Sequence, residues 1–256
     1  MTARVAWISR TPVKAFALEQ LEEAVVGEGG IESDRRFYFI GETGRLVNDK
    51  DFPSLQLIRA VYDIEADVLI LRLTDSREIS GKVERGEEVA TSFHRRPRAA
   101  RLVIGPWNEA LSTFAGEPLR LVEPTAPGVD RGRNGAATLL GTGSLRALGG
   151  ALGVEPVDGR RFRMNFGIEG LDPHEEDAWV GRRVAIGDAV VLPHGNVGRC
   201  AITKQNPDTA VSDLDTLNGL AAYLGDVDAT EPLPFGVHAS VVQPGRVRVG
   251  DSVSLA

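Results

Sequence analysis

Helical periodicity is confined to three short stretches, 106–115, 143–152 and 213–224, and this scarcity is what most narrows the folds open to the chain. The first closes at Gly116 and the last at Gly225, where a residue without Cβ can end a helix in the left-handed region. Most of the remainder reads as strand and turn. Runs rich in β-branched residues at 4–8, 37–40, 55–64, 68–73, 182–192 and 239–242 are separated by turn residues. Residues 65–67 read as a hairpin loop, and the alternating segment 242–253, with its Pro-Gly and Gly-Asp turns, reads as a closing hairpin. The expected fold class is mainly β with a few helices.

A chain of 256 residues that is 42% hydrophobic has apolar material for one or two cores. Residues 123–136 turn polar and rich in Gly and Pro, which places a division into two β-rich halves, 1–122 and 123–256. The net charge of -7 denies the broad basic field that binding nucleic acid or a membrane surface requires, so any anion site has to be local. No run approaches the roughly 18 apolar residues of a membrane span, and the N-terminal stretch lacks a signal-peptide core, so a cytoplasmic protein is expected.

One cysteine excludes an internal disulfide, and His94, His174, His194 and His238 are too far apart for a local zinc pattern. Cys200 stands in the segment HGNVGRCAIT, residues 194–203, where a glycine-rich turn after an apolar strand presents its sulfur at the strand end. A lone cysteine is most often a small buried hydrophobe. Arg199 beside it and Lys204 four residues on favour the thiolate, which attacks electrophiles or binds soft metals. With no histidine near in sequence, nucleophile and metal ligand both stay open.

Three other constellations bear on chemistry. Residues 161–165, RFRMN, put Arg163 and Asn165 on one face if extended, offering a guanidinium fork and an amide to phosphate oxygens and a heterocycle edge. Lys14 and Arg35 fall at strand ends. The run HEED, 174–177, reads as a solvated loop. Nucleotide-dependent chemistry loses its support, since GTGSLR at 141–146 has arginine where a dinucleotide fingerprint needs a small residue and no Gly-Lys-Ser/Thr loop exists.

PVK at 12–14, DR at 34–35, FRMN at 162–165, DAW at 177–179, VAIGD at 184–188, GRC at 198–200 and NPDT at 206–209 occur in the order and spacing of the MOSC superfamily. Nearly the whole chain resembles that superfamily, the second half its MOSC β-barrel domain and the first the N-terminal β-barrel domain that accompanies it. The resemblance implies a molybdenum cofactor (Mo-molybdopterin) whose dithiolene sulfurs share the metal with Cys200. It implies that Lys14, Arg35, Arg163 and Asn165 hold the pterin and its phosphate, with Arg199 beside the metal ligand. Asp208 matches an aspartate near the metal, where a carboxylate orients groups or carries protons as a catalytic residue; the alternative is a simple Pro-Asp turn.

Similarity to the amidoxime-reducing group of the superfamily implies an oxidoreductase that removes oxygen from N-hydroxylated small molecules. No cysteine cluster or flavin fingerprint is present, so an external electron-donor redox protein is expected as partner. Two other readings are a cofactor carrier without turnover and a sulfur-transfer protein using a Cys200 persulfide. Ala15, Arg133, Lys204, Gln205 and Ala210 depart from the family's pattern, so some contacts must differ.

Overall fold

The computed structural model describes residues 2–93, 96–126, 131–154 and 156–256. Its α-helices are α1 (Trp107–Ala115), α2 (Thr142–Leu152) and α3 (Thr216–Leu224), on the three stretches with helical period. Gly116 and Gly225 follow α1 and α3 with φ of 73° and 58°, a backbone region that favours glycine. The rest is mostly strand, and side-chain alternation sets its layers. In Arg59–Asp63, Ala60 and Tyr62 are buried while their neighbours are exposed, so one face turns inward. Pro53 splits the expected strand at 55–64, because it opens a 3-10 turn, Pro53–Leu57, which Ile58 closes with a bond to the Leu55 carbonyl.

The largest sheet has eight strands in the order Val253–Leu255, Val184–Ile186, Ala189–Gly198, Pro234–Gln243, Ala137–Gly141, Phe166–Glu169, Arg4–Arg10 and Glu19–Leu21. Ala137–Gly141 and Phe166–Glu169 run parallel, which requires a crossover, and α2 lies in that crossover. A five-stranded sheet holds Glu84–Phe93, Arg96–Ile104, Arg120–Pro124, Tyr38–Ile40 and Leu46–Val47. Two three-stranded sheets complete the fold.

The sheets do not divide at residue 123 alone. Val5, Ile8, Ala24, Val26 and Ile31 share a core with Leu139, Phe166, Ile186, Val237 and Val253, so residues 5–8 and 24–31 pack into the body built by the second half. The other body has its own core, around Phe16, Phe37, Phe39, Leu69, Trp107 and Leu121. The expected closing hairpin is corrected for the same reason. Gly245–Arg248 pairs with Glu23–Gly27, and Val253–Leu255 pairs with Val184–Ile186, because those two edges give the last residues backbone partners. At Gly245 a Cβ would lie 2.4 Å from the Asp188 backbone, so this crossing needs glycine.

The run at 174–177 is not a solvated loop. It enters a 3-10 turn, Glu175–Trp179, in which Glu176 is wholly buried. One carboxylate oxygen accepts from the Gly141 N–H at 2.9 Å and the Ser144 hydroxyl at 2.7 Å, and the other has no partner. Burial raises the Glu176 pKa, and the Asp177 carboxylate beside His174 raises that of the imidazole. A carboxyl that binds its proton more tightly folded than unfolded stabilises the fold most at low pH, and that stability is lost as pH rises above 4.5 through the raised value. The His174 contribution falls in the same direction, above 6.5. Glu176→Gln keeps an acceptor for Gly141 and Ser144 but cannot ionise. Urea midpoints measured between pH 5 and 8 should therefore decline less steeply than in the wild type, and an unchanged decline would refute the assignment.

Candidate functional site

A cleft of about 890 Å³ lies where the two bodies meet. Lys14, Arg35, Arg163, Asn165, Arg199 and Cys200, residues far apart in sequence, all line it. Among the described residues nine lysines and arginines line the cleft against three carboxylates, in a chain whose net charge is -7. The positive field is therefore local.

Cys200 follows the long strand Ala189–Gly198, whose last glycine donates its N–H to Glu231 Oε2 at 2.9 Å. A Cβ at Gly198 would lie 2.6 Å from that same oxygen and 3.0 Å from the Pro232 carbonyl, so residues 231–232 pack closely against this point of the strand. Glu231 is in turn gripped by both terminal nitrogens of Arg131. Cys200 itself is extended and opens the 3-10 turn Ala201–Lys204, its carbonyl accepting from the Thr203 N–H at 3.1 Å and hydroxyl at 3.0 Å. The thiol is free and partly exposed on the cleft wall.

Arg199 turns inward. Its guanidinium donates to the Phe235 carbonyl, to the Phe162 carbonyl at 3.0 Å and to Met164 Sδ at 3.0 Å, and it sits 5.2 Å from the Phe162 ring centre. Burial lowers its pKa to about 9, which leaves it charged at neutral pH.

Residues 161–165 are not extended, as the sequence implied. Gly159–Phe162 is a 3-10 turn and Arg163 follows in the left-handed region at φ 54°, yet both Arg163 and Asn165 reach the cleft. Arg35 and Ala15 also have positive φ, 49° and 75°. Three strained non-glycine residues on one cleft wall mark a site whose shape the surrounding packing imposes.

The two arginines tie the bodies together. Arg35 Nη2 donates to the Arg163 carbonyl at 2.7 Å, and Arg163 Nη2 to the Phe16 carbonyl at 2.5 Å. Asn165 is buried and spends its amide internally, accepting from Thr138 at 2.9 Å and donating to Asp34 at 2.9 Å and to the Ser9 carbonyl at 3.2 Å. Asp34 also pairs with Arg35, so Asn165 reaches that guanidinium through a shared carboxylate. The Lys14 ammonium lies 5.9 Å from the Phe93 ring centre.

Asp208 is not brought into the cleft lining. It is exposed and held by Arg160 through two bonds of 2.8 and 2.7 Å, which lower its pKa. Sequence reasoning also missed residues that shape the cleft. Asp49 is buried on its wall, with Oδ2 at 4.0 Å from Arg163 Nε and no hydrogen-bond partner, and burial raises its pKa. The Arg131–Glu231 pair joins positions 100 residues apart, so no local signal announces it.

The atypical residues have definite places. Gln205 donates to the Asp49 carbonyl at 2.9 Å and accepts from Gln56 at 3.2 Å, a buried link between the bodies. Lys204 pairs with Asp215 at 3.1 Å, Arg133 pairs with Glu28 at the surface, and Ala210 adopts φ 61°. His94 lies outside the described residues. Among the described residues no three His, Cys, Asp or Glu side chains converge to hold a metal ion.

Two human and rice proteins are similar along most of the chain. Human mitochondrial amidoxime reducing component 2 is 29% identical over 94% of this chain and 80% of its own length. Rice molybdenum cofactor sulfurase is 24% identical over 83% of this chain, which spans only 30% of that relative. Among solved structures, the YUAD protein from Bacillus subtilis shares the fold at a TM-score of 0.53 and 13% identity, over 99% of this chain and 94% of that one. No helix is long and apolar enough to cross a membrane among the described residues. The MOSC domain model matches residues 128–254 and the MOSC N-terminal beta barrel domain model residues 2–103. With nearly the whole chain matched by these two models, the protein belongs to the MOSC family and carries that family's N-terminal β-barrel domain ahead of the MOSC domain.

Proposed function

We propose that the cleft holds a molybdenum–pterin cofactor through Cys200, and that the protein reduces N-hydroxylated compounds by removing their oxygen. The observation that carries this reading is one partly exposed, free thiol on the wall of a cleft rich in cations. The names of the human and rice relatives point the same way. When bound, the cofactor supplies an oxygen acceptor and a two-electron store that no side chain provides.

The chain's own residues do the rest. Cys200 contributes one sulfur, and Lys14, Arg35 and Arg163 offset the charge of a phosphate-bearing ligand. Asn165 acts from below, by fixing Asp34 against Arg35. Asp208, bound to Arg160 at the surface, is given no catalytic part. Electrons come from a separate redox protein.

The test is expression in a molybdenum-replete host, metal analysis and fluorescence of the oxidised pterin, followed by benzamidoxime reduction with reduced methyl viologen as donor. Bound molybdenum with turnover is the expected result. Molybdenum without turnover would make the protein a carrier. A labile sulfur on Cys200 with no molybdenum would make it a sulfur-transfer protein.

A further inference from the structure

Asp49 stands on the cleft wall with no task in the proposed function. The residue is 2% exposed, and among the described residues no donor reaches its Oδ2. A buried carboxylate oxygen without a hydrogen bond is costly, and it persists where something else compensates it. Here the compensation is electrostatic. Arg163 Nε lies 4.0 Å from Oδ2, too far for a hydrogen bond but close enough to attract strongly in a site shielded from water. The residue is also firmly placed. Its carbonyl accepts from Gln205 Nε2 at 2.9 Å, and the Gln205 N–H donates to the Ile202 carbonyl at 3.0 Å, which fastens Asp49 to the turn after Cys200.

Two influences oppose each other at this carboxyl. Burial raises its pKa, whereas Arg163, Lys14, its own backbone N–H and Lys50, in falling order, lower it. The two foremost of these, Arg163 and Lys14, are the cations assigned above to the anionic group of a ligand. An anion seated there sets a second negative charge beside the same cations. Their pull on Asp49 is then offset while its burial remains, so the carboxyl binds a proton more tightly in the filled site than in the empty one.

We propose that Asp49 is the built-in counter-ion of the anion site and takes up a proton when a phosphate-like anion binds at Lys14 and Arg163, resting on the cofactor reading only for the place of that anion. The proton comes from solvent and stays on the Asp49 carboxyl, and no bond to the ligand forms. Affinity for the anion is then highest at low pH. It falls as pH rises from the empty-site value, itself raised above 3.8, through the still higher filled-site value. One linked proton gives at most about a tenfold fall per pH unit inside that window.

Protein made in a host without cofactor synthesis is titrated calorimetrically with sulfate at low ionic strength between pH 5 and 9, since sulfate stays a dianion throughout while phosphate titrates within the range. Two buffers of different ionisation enthalpy give the protons taken up as well as the affinity. Wild type should take up a proton, or a fraction of one, and lose affinity as pH rises. Asp49→Asn keeps the size of the side chain but cannot ionise, so it should bind at least as tightly as wild type at the top of the range and lose most of the uptake and of the slope. The slope that persists belongs to other titratable groups on the cleft wall, such as Cys200, His238, Asp34 and Glu231. Lys14→Gln should weaken sulfate at every pH.

Infrared difference spectra of the wild type at the pH of steepest slope read the same event without any substitution, as the band of a protonated carboxyl gained on adding sulfate. Equal slopes in wild type and an Asp49→Asn protein that circular dichroism shows to be folded would overturn the proposal. So would the absence of that infrared gain, or sulfate binding that Lys14→Gln leaves unchanged. Molybdenum content enters none of these readings, so this proposal and the cofactor reading fail separately.

Discussion

Cys200→Ala protein from a molybdenum-replete host should lose most of its molybdenum and fall in amidoxime reduction by about two orders of magnitude or more, the cost of deleting a metal ligand rather than one of its supports. The fold should survive. The Cys200 side chain is partly exposed and in no disulfide, and the bonds that shape its turn go from Thr203 to the backbone carbonyl, which alanine retains. Melting temperatures within a degree or two of the wild type, beside a large drop in metal content, are the expected pair of readings. Alanine protein that keeps a full complement of molybdenum would show that the metal is held elsewhere, and the ligand assignment would be withdrawn.

That prediction uses a residue visible in the sequence, and the reasons for its visibility are local. The glycine before Arg199 and the apolar strand before that glycine both act within a few residues of Cys200. The helices are legible for the same reason, since each is a periodic stretch and all three end at a glycine with positive φ. Pairing between distant strands has no such signature. The strand Arg4–Arg10 reads as one more short strand-forming run, and nothing in it says that its neighbours are Phe166–Glu169 and Glu19–Leu21 in the sheet of the second half. The closing segment alternates too, which is why it reads as a hairpin until the free edge at Glu23–Gly27 claims it.

The site divides along the same line. Charged residues near turns can be picked out singly, but their tasks depend on partners supplied by folding. Asn165 reads as a ligand contact and is in fact spent on Thr138, Asp34 and Ser9. Asp208 reads as an acid near the metal and is bound to Arg160, a residue 48 positions earlier. Asp49 gives no signal at all, because its burial is created by Gln205 and Arg163 arriving from the other half.

Arg199 is the residue whose loss should cost the most stability. Its donors serve the Phe235 and Phe162 carbonyls and Met164 Sδ, so truncation strands two carbonyls and opens a gap beside the Phe162 ring. An unsatisfied buried acceptor costs about 1–3 kcal/mol, which puts Arg199→Ala at roughly 3 kcal/mol or more below wild type. Arg199→Lys should recover only part of this, since a single ammonium on a flexible stem cannot reach both carbonyls and the sulfur at once. Urea unfolding of the three proteins, followed by tryptophan fluorescence, measures the order directly. The contrast with Cys200→Ala separates ligand from support: the cysteine variant should lose metal and keep stability, whereas the arginine variants should lose both, because the bonds to Phe162, Met164 and Phe235 anchor the residue next to Cys200. An Arg199→Ala protein as stable as the wild type would mean that water or a shifted backbone replaces those bonds, and that the guanidinium belongs to the ligand after all.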